Sequence, residues 1–289
     1  MAVSSTGKQT AYAKKETTFG TAVTPVGADA LQFTTLTTNA VQGTVDRTDK
    51  RGTADAAISI RDNGSASIEI GWEMSGSGTP GTVADDHVLL ENLFGATTIN
   101  AGTSVVYTPD DIEGSFSLMN FDKPAGNDQE LIIGACLYSA QFRIGPAIPF
   151  ISANGAGKWC IRSKQFSVLT AEQKGGLSSF PAEPGSPSIV GYPPRGRTGS
   201  ITIDGNTYNN FQDATINFGT GVTLGPPLFG SSSPSGPRRV RRVVTCDFAL
   251  EDDGGANWDA LALKIPVNTP ITITFVIGAV AGNIHTFVL

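Results

Sequence analysis

Residues 66–74 read Ala-Ser-Ile-Glu-Ile-Gly-Trp-Glu-Met, with apolar side chains at the even positions from Ile68 to Met74 and polar or small ones at the odd positions. This period of two predicts a strand with one buried face and one wet face. Glu69 and Glu73 lie on the predicted wet face. That face must line either bulk solvent or a channel, and which of the two it lines decides the function.

A short amphipathic helix is predicted after this strand, beyond a Gly/Ser-rich turn at residues 75–82. Asp85 and Asp86 are expected to cap its N-terminus, where carboxylates are favourable, and Gly95 is expected to end it. One face of the helix is apolar, and it carries Leu89, Leu90, Leu93 and Phe94. The helix therefore needs a sheet to cover that face.

Length and composition predict a chain that folds without disulfides or metals. Its 289 residues, 39% of them hydrophobic, are enough for one large all-β domain or two small ones. Three cysteines, Cys136, Cys160 and Cys246, are an odd number and lie far apart, which favours free thiols in a reducing compartment. The N-terminus lacks the apolar core of a secretory signal, and no stretch approaches the roughly 20 apolar residues of a membrane span. We therefore expect synthesis and folding in a cytoplasm, without a membrane partner.

The net charge of −6 argues against a general nucleic-acid binder. Such a protein needs a basic surface to displace the counterions of the phosphates. An acidic chain is nevertheless compatible with a surface that must avoid sticking to DNA.

The first half of the chain divides into a polar N-terminal arm at residues 1–30, expected to lie on a neighbour or on its own body, and the first half of a β-domain at residues 31–170. A short strand is expected at residues 31–37. Residues 41–54 predict a long charged loop, interpreted either as a solvated hairpin tip or as a contact loop. Its charged residues are Asp46, Arg47, Asp49, Lys50 and Arg51. The sheet resumes at residues 57–61, and Asp62-Asn63-Gly64 predicts a hairpin turn before the strand at residues 66–74.

The middle of the chain continues as short strands. Strands are predicted at residues 104–107, 115–119, 131–144, 159–161 and 165–169, with a bend or break of the longest at Gly134. Residues 171–237 are rich in glycine and proline, which indicates loops or an insertion on the outer side of the body. Two strands are still expected inside this stretch, at residues 200–203 and 214–218.

The C-terminal half of the β-domain, residues 238–289, repeats the order strand, acidic turn, short helix. In the strand at residues 239–250, Val240, Val244, Cys246 and Phe248 are expected to face inward, whereas Asp247 faces outward. The helix begins near Trp258, and a final strand runs through residues 271–277. An internal repeat is the most economical account. It predicts an all-β fold with minor α content: a β-sandwich or half-barrel of two sheets with one or two short helices packed outside.

Catalytic and metal sites are not indicated. His87 and His285 are the only histidines and lie in unrelated contexts, which disfavours a histidine metal site or triad. Glu251-Asp252-Asp253 lacks the alternating ligand spacing of a calcium loop and is interpreted as an ordinary turn. A glycosidase needs two facing carboxylates, and nothing supplies a partner for the acids at residues 110–113. We expect no enzymatic activity and no cofactor.

The basic run at residues 238–242 has two interpretations. Arg238, Arg239, Arg241 and Arg242 form either a phosphate patch or a set of partners for acids on another subunit. Alternation along a strand spreads them over two faces, so the salt-bridge interpretation is favoured.

Two sets of residues resemble tail tube proteins of long-tailed, non-contractile phages. The opening Lys15-Glu16-Thr17-Thr18-Phe19-Gly20-Thr21-Ala22-Val23-Thr24-Pro25, the charged loop, the strand Ser67 to Met74 and the helix end Leu93-Phe94-Gly95 are similar to the N-terminal half of that family. Arg242-Val243-Val244-Thr245, the acidic turn, the Trp258 helix and the run Ile271 to Gly282 are similar to its C-terminal half. The resemblance leaves out residues 171–237.

The resemblance implies a β-sandwich subunit that forms six-membered rings whose inner strands join into a continuous barrel. The rings would stack into a tube through which DNA passes without stable binding. The charged loop with Asp46, Arg47, Asp49, Lys50 and Arg51 would be the contact between rings. The implied partners are other copies of this chain, a tape measure protein and the terminators at the tube ends. The implied location is the virion tail, after assembly in the host cytoplasm.

The charges agree with this expectation. Ring symmetry would repeat each lumen-facing Glu69, Glu73 and Asp247 as a girdle of acids. Duplex DNA carries a charge about every 1.7 Å of its axis, and the wall of a narrow bore lies within roughly one Debye length, on the order of 10 Å. Such a wall must repel DNA, and acids do so.

The alternative is a β-sandwich binding module, such as a capsid decoration protein or a receptor-binding tail domain. A binding module should expose clustered aromatic residues on its loops. The aromatic residues of the Gly/Pro-rich stretch are mostly well separated, and they are Phe180, Tyr192, Tyr208, Phe211 and Phe229. The tube is therefore favoured.

Overall fold

The computed structural model describes residues 9–45, 60–111, 114–122, 129–185, 193–208, 210–229, 231, 233–251, 255–264, 266–267 and 269–289. Within them the fold is all-β with two short α-helices, α1 (His87–Phe94) and α2 (Ala256–Lys264). Single 3-10 turns lie at Gly27–Asp29, Ser163–Val168 and Gly196–Thr198. The strands in chain order are β1 (Gln9–Lys15), β2 (Ala30–Leu31), β3 (Thr35–Val45), β4 (Ile60–Glu73), β5 (Gly95–Asn100), β6 (Ser104–Pro109), β7 (Phe116–Asp122), β8 (Glu130–Ile144), β9 (Phe150–Gly157), β10 (Trp159–Arg162), β11 (Ser200–Ile203), β12 (Asn206–Tyr208), β13 (Phe211–Gly219), β14 (Val222–Leu224), β15 (Pro237–Arg239), β16 (Val243–Leu250), β17 (Ile273–Ile277) and β18 (His285–Val288).

The long strand β8 belongs to two layers. Its first part pairs with β7 and β10 in a layer ordered β2-β1-β7-β8-β10. Its second part pairs with β9 and β13 in a layer ordered β3-β4-β9-β8-β13-β16, which we call the six-stranded layer. The predicted irregularity at Gly134 is confirmed, since its φ of +63° falls where β8 changes partners and only glycine adopts such an angle without strain.

A smaller sheet, ordered β12-β11-β17-β18, packs against the six-stranded layer. Phe142 of β8 lies 5.4 Å from Phe287 of β18, and Phe211 of β13 lies 5.6 Å from Phe275 of β17, between ring centroids. The strand predicted at residues 271–277 corresponds to β17, whose Ile273, Phe275 and Ile277 are buried, and β18 follows it as a further strand. β5 and β6 form a separate hairpin.

The main core lies on one side of the six-stranded layer. The even face of β4 is buried as the sequence predicted, with Ile68, Ile70, Trp72 and Met74 at most 3% exposed. Helix α1 covers part of this core with Leu89, Leu90 and Leu93, and Gly95 ends it at φ +101°. Such an arrangement of packed antiparallel sheets with short helices is sandwich-like, as expected.

A second cluster lies on the other layer around Tyr12, Phe121 and Ile133. Phe166 and Phe180 pack over it in an edge-to-face contact with 6.1 Å between centroids. Part of the Gly/Pro-rich stretch is therefore a cover for this cluster. A later part of the same stretch is β13, an interior strand of the six-stranded layer. This position differs from the sequence prediction of loops or an insertion on the outer side of the body.

The predicted turn at Asp62-Asn63-Gly64 is wrong. β4 runs without interruption from Ile60 to Glu73 and pairs with β3 up to the pair Val45 and Ile60. Glycine at residue 64 is explained by packing and not by a turn, because a Cβ there would lie 2.1 Å from Cζ3 of Trp159. Residues 41–45 of the predicted loop belong to β3, and the charged residues Asp46, Arg47, Asp49, Lys50 and Arg51 lie outside the described residues.

The described part of the N-terminal arm lies on its own body, as one of the two interpretations expected. β1 lies between β2 and β7, and Glu16 is 5% exposed. The Glu16 carboxylate accepts hydrogen bonds from the backbone N–H of Gly20 and Gly134 and from the hydroxyls of Ser115 and Ser117, at 2.7–2.9 Å. Four donors compensate the loss of water at this buried carboxylate.

Two strand predictions are corrected in the second half. Residues 165–169 are mostly a 3-10 turn, because Phe166 turns onto Phe180. The strand predicted at residues 239–250 is two strands, since β15 ends at Arg239 and β16 begins at Val243. Val240, predicted to face inward, is 63% exposed, because it lies in the break where its N–H donates to the carbonyl of Gly221.

A strand followed by a short helix does occur twice, at β4–α1 and at β16–α2, and residues 252–254 of the predicted second turn lie outside the described residues. The two copies pair differently. β4 lies inside the six-stranded layer, whereas β16 pairs, among the described strands, with β13 alone. None of the described helices is long and apolar enough to span a membrane.

Candidate functional site: the polar face of the six-stranded layer

The side of the six-stranded layer that points away from the core is polar, and we call it the polar face. Strand register defines it, because residues paired across neighbouring strands point to the same side. Its rows run across β3, β4, β9, β8, β13 and β16. One row is Thr37, Glu69, Asn154, Ser139, Gly219 and Val243, and the next is Thr35, Gly71, Ser152, Gln141, Asn217 and Thr245.

The three predicted acids lie on this face. Glu69 and Asp247 are exposed, and Glu73 is half-buried. Glu73 and Asp247 belong to the same row, since Glu73 pairs with Phe150, and Arg143 and Thr215 continue the row to Asp247. The two halves of the chain therefore contribute acids to one surface.

Two further charged residues of the polar face were missed from the sequence. Asp213 on β13 and Arg143 on β8 are both exposed. Alternation within their strands is visible in the sequence, but it does not tell which strands become neighbours. The face thus carries four carboxylates and one guanidinium, a net charge of −3.

Side chains on three neighbouring strands form a hydrogen-bonded chain across this face. Arg143 Nε donates to Gln141 Oε1 at 2.7 Å, and Gln141 Nε2 donates to Asn217 Oδ1 at 2.9 Å. Asn217 Nδ2 donates to Asp247 Oδ2 at 3.5 Å, a long contact. These bonds hold Arg143, the one guanidinium among the described side chains of the face, in a network with one of its acids, so its charge is partly compensated locally.

A shallow depression of about 280 Å³ lies in the middle of the polar face. Its polar lining consists of small uncharged groups from Ser139, Gln141, Ser152, Asn154 and Asn217. Hydroxyl and amide groups bind water well and give no strong attraction for phosphates. Among the described residues, no group of three His, Cys, Asp or Glu side chains is arranged to hold a metal ion.

Both outer edges of the six-stranded layer lack a paired strand within the described part of the chain. For β16 the direction of the free groups follows from one hydrogen bond. Glu251 N donates to the carbonyl of Asn210 at 3.0 Å, so the odd-numbered residues of β16 bond to β13. The backbone groups of Val244, Cys246 and Phe248 therefore point to the free edge, because successive residues of a strand alternate.

A second group of ionisable side chains surrounds the start of α1. Asp86 was predicted to cap the helix. It lies at the N-cap position, but its side chain makes no capping hydrogen bond. It is 4% exposed, and its Oδ2 accepts from Trp72 Nε1 at 3.0 Å. Burial raises the pKa of Asp86 to about 7. The apolar core of β4 thus uses Asp86 as the hydrogen-bond partner of its largest residue.

The neighbouring His87 connects this group to the β5–β6 hairpin. His87 Nδ1 lies 3.0 Å from the hydroxyl of Tyr107, and burial lowers the pKa of His87. Glu91 on α1 accepts a hydrogen bond from Lys15 of β1 at 2.8 Å. These contacts link α1, β1 and β6, and we interpret them as structural.

Two arginines of the basic run, Arg239 and Arg242, have partners within the subunit, where contacts with acids of another subunit were expected. Arg242 donates to the carbonyl of Asp110 at 2.8 Å, and its guanidinium lies 6.0 Å from the ring of Phe218. Arg239 Nε lies 3.8 Å from Asp111 Oδ1. Of the predicted acidic turn, Asp252 and Asp253 lie outside the described residues.

Comparison with known proteins places the chain in no family. Neither the protein-family models nor the curated protein sequences with which it was compared match it.

Proposed function

We propose that this chain is the structural subunit of a phage tail tube. It associates with copies of itself into rings, six-membered by the resemblance described above, and the rings stack around a channel for DNA. The observation that carries the proposal is the polar face, which extends over six strands and, in the described part of the chain, ends in an unpaired edge on both sides. The proposed role is structural, with no catalytic step and no cofactor.

The strand order supports closure into a ring. Each neighbouring pair in the six-stranded layer is antiparallel, so β3 and β16 run in opposite directions. A copy rotated about an axis along the strands brings its β3 beside β16 of the first copy, and the two strands are antiparallel. The contact is heterologous, and repetition of such a contact closes a ring when the rotation fits. Pairing also removes the unpaired backbone groups that an isolated subunit exposes.

The polar face then lines the channel, because the opposite face is the core. Its net charge of −3 per subunit is repeated around the ring and repels the phosphates of passing DNA. The small uncharged groups in its central depression add no strong binding site. DNA accordingly transits without being retained.

The partners in this proposal are other copies of the chain, a tape measure protein and the proteins that terminate the tube. The location is the virion tail, after assembly in the host cytoplasm. The charged segment with Asp46, Arg47, Asp49, Lys50 and Arg51 remains a proposed contact between rings.

Self-association tests the proposal directly. The purified protein, concentrated at moderate salt, is examined by analytical ultracentrifugation and by negative-stain electron microscopy. Rings or tubes of uniform diameter are expected. A compact monomer at every concentration would remove the physical basis of the proposal.

A further inference from the structure

The hairpin β14–β15 carries two exposed apolar side chains that the polar face does not explain. Leu228 is 62% exposed and Phe229 is fully exposed. We call this pair the apolar tip. Single apolar residues on a surface are common, but these two neighbours together expose apolar area that a contact would bury.

The tip is held in a defined position. Pro227 and Pro234 form a bridge across the hairpin, and Ser231 N donates to the carbonyl of Leu228 at 2.9 Å. The hydroxyls of Ser231 and Ser233 both donate to Glu172 Oε1 at 3.0 Å. A segment that is already ordered loses little conformational entropy when it binds, so its apolar area is available for affinity.

A cavity of about 220 Å³, lined by both polar and apolar groups, lies between the six-stranded layer and the smaller sheet. It is smaller than the roughly 300–1,000 Å³ of sites for drug-sized molecules, and this suits a single side chain. Its walls include Tyr208, Phe211, Phe275 and Ile277. Arg197 also lines it and is exposed, and a guanidinium there is able to stack on an aromatic ring.

The tip and the cavity lie at opposite ends of β13. The cavity adjoins Phe211, where β13 begins, and the hairpin follows Gly219, where β13 ends. The ends of this strand are about 26 Å apart, at about 3.3 Å per residue. A contact between tip and cavity therefore joins two copies head to tail, along the direction of the strands.

We propose that the apolar tip of one copy inserts into this cavity of a second copy and so connects successive rings. The proposal rests on the tube function for its ring-to-ring setting, and the contact itself is independent of ring closure. It is heterologous, so it propagates along an axis. It adds an apolar anchor to the charged contact already proposed between rings.

Two variants separate the partners of the contact. Phe229→Ser removes the aromatic side chain of the tip and leaves the cavity, whereas Ser200→Tyr obstructs the cavity and leaves the tip. Ser200 is exposed and lines the cavity. Val168→Ser is the matched control, because Val168 is an 81% exposed apolar residue elsewhere on the surface.

Each of the two variants alone is expected to form rings that do not extend into tubes, or that need at least about tenfold higher concentration to do so, since burial of one phenylalanine is worth at least one order of magnitude. Preformed rings of the two variants, mixed in equal amounts, should give stacks of two rings. The intact tips of the Ser200→Tyr ring then meet the intact cavities of the Phe229→Ser ring, and both outer ends are blocked.

The inference is overturned if Phe229→Ser forms tubes as long as those of Val168→Ser. It is also overturned if the mixed rings of the two folded variants form no two-ring stacks. A separate experiment tests the contact if rings do not form. If the wild-type chain forms no rings, the same two variants are mixed as single subunits and examined by sedimentation. A 1:1 dimer in the mixture alone supports the contact without the tube, and its absence rejects the contact.

Discussion

At the scale of single residues, Asp86 is where burial and charge are in conflict. Its carboxyl is buried beside Trp72, and burial raises its pKa from 3.8 to about 7. The folded state therefore binds this proton more tightly than the unfolded state does. The contribution of Asp86 to the free energy of unfolding consequently falls as the pH rises from about 4 to about 7 and stays low above that.

Asp86→Asn keeps an acceptor for Trp72 Nε1 and removes the charge. The variant is expected to exceed wild type in free energy of unfolding at pH 8, by on the order of 4 kcal/mol from about 1.4 kcal/mol per pKa unit. The excess should shrink towards pH 4. His87 and His285 have pKa values lowered by burial and contribute the opposite slope, but they are present in both proteins and cancel. Urea denaturation of both proteins at pH 5 and pH 8 measures the difference, and an excess that is the same at the two pH values contradicts the assignment.

Gly64 tests the correction of the predicted turn. A Cβ at Gly64 would lie 2.1 Å from Trp159, so Gly64→Ala is expected to lower the free energy of unfolding by about 1–3 kcal/mol, as overpacking does. Gly185→Ala is the matched control, because a Cβ there meets no atom within 4 Å. Thermal or urea denaturation of the two variants decides the point. Equal stability of both variants would mean that Trp159 does not pack on residue 64.

Single residues also show what the sequence was able to predict. The alternation at residues 66–74 assigned Glu69 to the exposed side and Trp72 to the core, because period two leaves one choice of face for a half-buried strand. The same alternation does not report contacts between distant segments. Asp86 was therefore expected to cap a helix, and its bond to Trp72 was not foreseen.

At the scale of elements, the free edge of β16 gives a test of ring closure. The backbone N–H of Val244 points to this edge, and that of Thr245 points to β13. Proline lacks the N–H and is tolerated at the outer side of an edge strand. Val244→Pro is expected to fold and to form no rings. Thr245→Pro removes a bond of the β13–β16 ladder and should lower the free energy of unfolding instead.

Circular dichroism and sedimentation separate these outcomes. A folded Val244→Pro protein that forms rings of normal size would show that β16 is not an inter-subunit edge. An unfolded Val244→Pro protein together with a stable Thr245→Pro protein would reverse the assigned direction of the N–H groups.

Element prediction succeeded where local pattern suffices and failed where tertiary contacts decide. The helices and most strands were foreseen from periodicity and from Gly95. Asn63-Gly64 has the composition of a hairpin turn, yet the chain continues there as part of β4, with a register shift against β3 between the pairs Gln42–Gly64 and Thr44–Arg61. The strand at residues 214–218 was predicted and is part of β13, but its position between β8 and β16 was missed, because alternation within a strand does not report which strands become its neighbours.

At the scale of the whole molecule, the fold class was predictable because two-residue periodicity recurs along most of the chain. The sequence did not predict which strands join into one layer, because pairing depends on register across long sequence separations. Glu69, Glu73 and Asp247 were all found on one face, but Asp213 and Arg143 join them only through the order of the strands. The net charge of the polar face was therefore beyond sequence reasoning alone.

Reversal of charge on the polar face tests whether that face lines the channel. Glu69→Lys combined with Glu73→Lys changes its four carboxylates and one guanidinium to two carboxylates and three cations, from −3 to +1 per subunit. A hydrated face accepts either sign, so folding and assembly should persist. The variant tubes are expected to retain duplex DNA at low salt and to release it as the salt concentration rises, because phosphate binding depends on counterion release.

Asp110→Lys combined with Asp259→Lys makes the same change of charge at exposed positions off the polar face and should leave DNA retention at the wild-type level. Retention by filter binding across a salt series distinguishes the two. If the Glu69/Glu73 variant binds no more DNA than wild-type tubes at low salt, these acids face somewhere other than the channel.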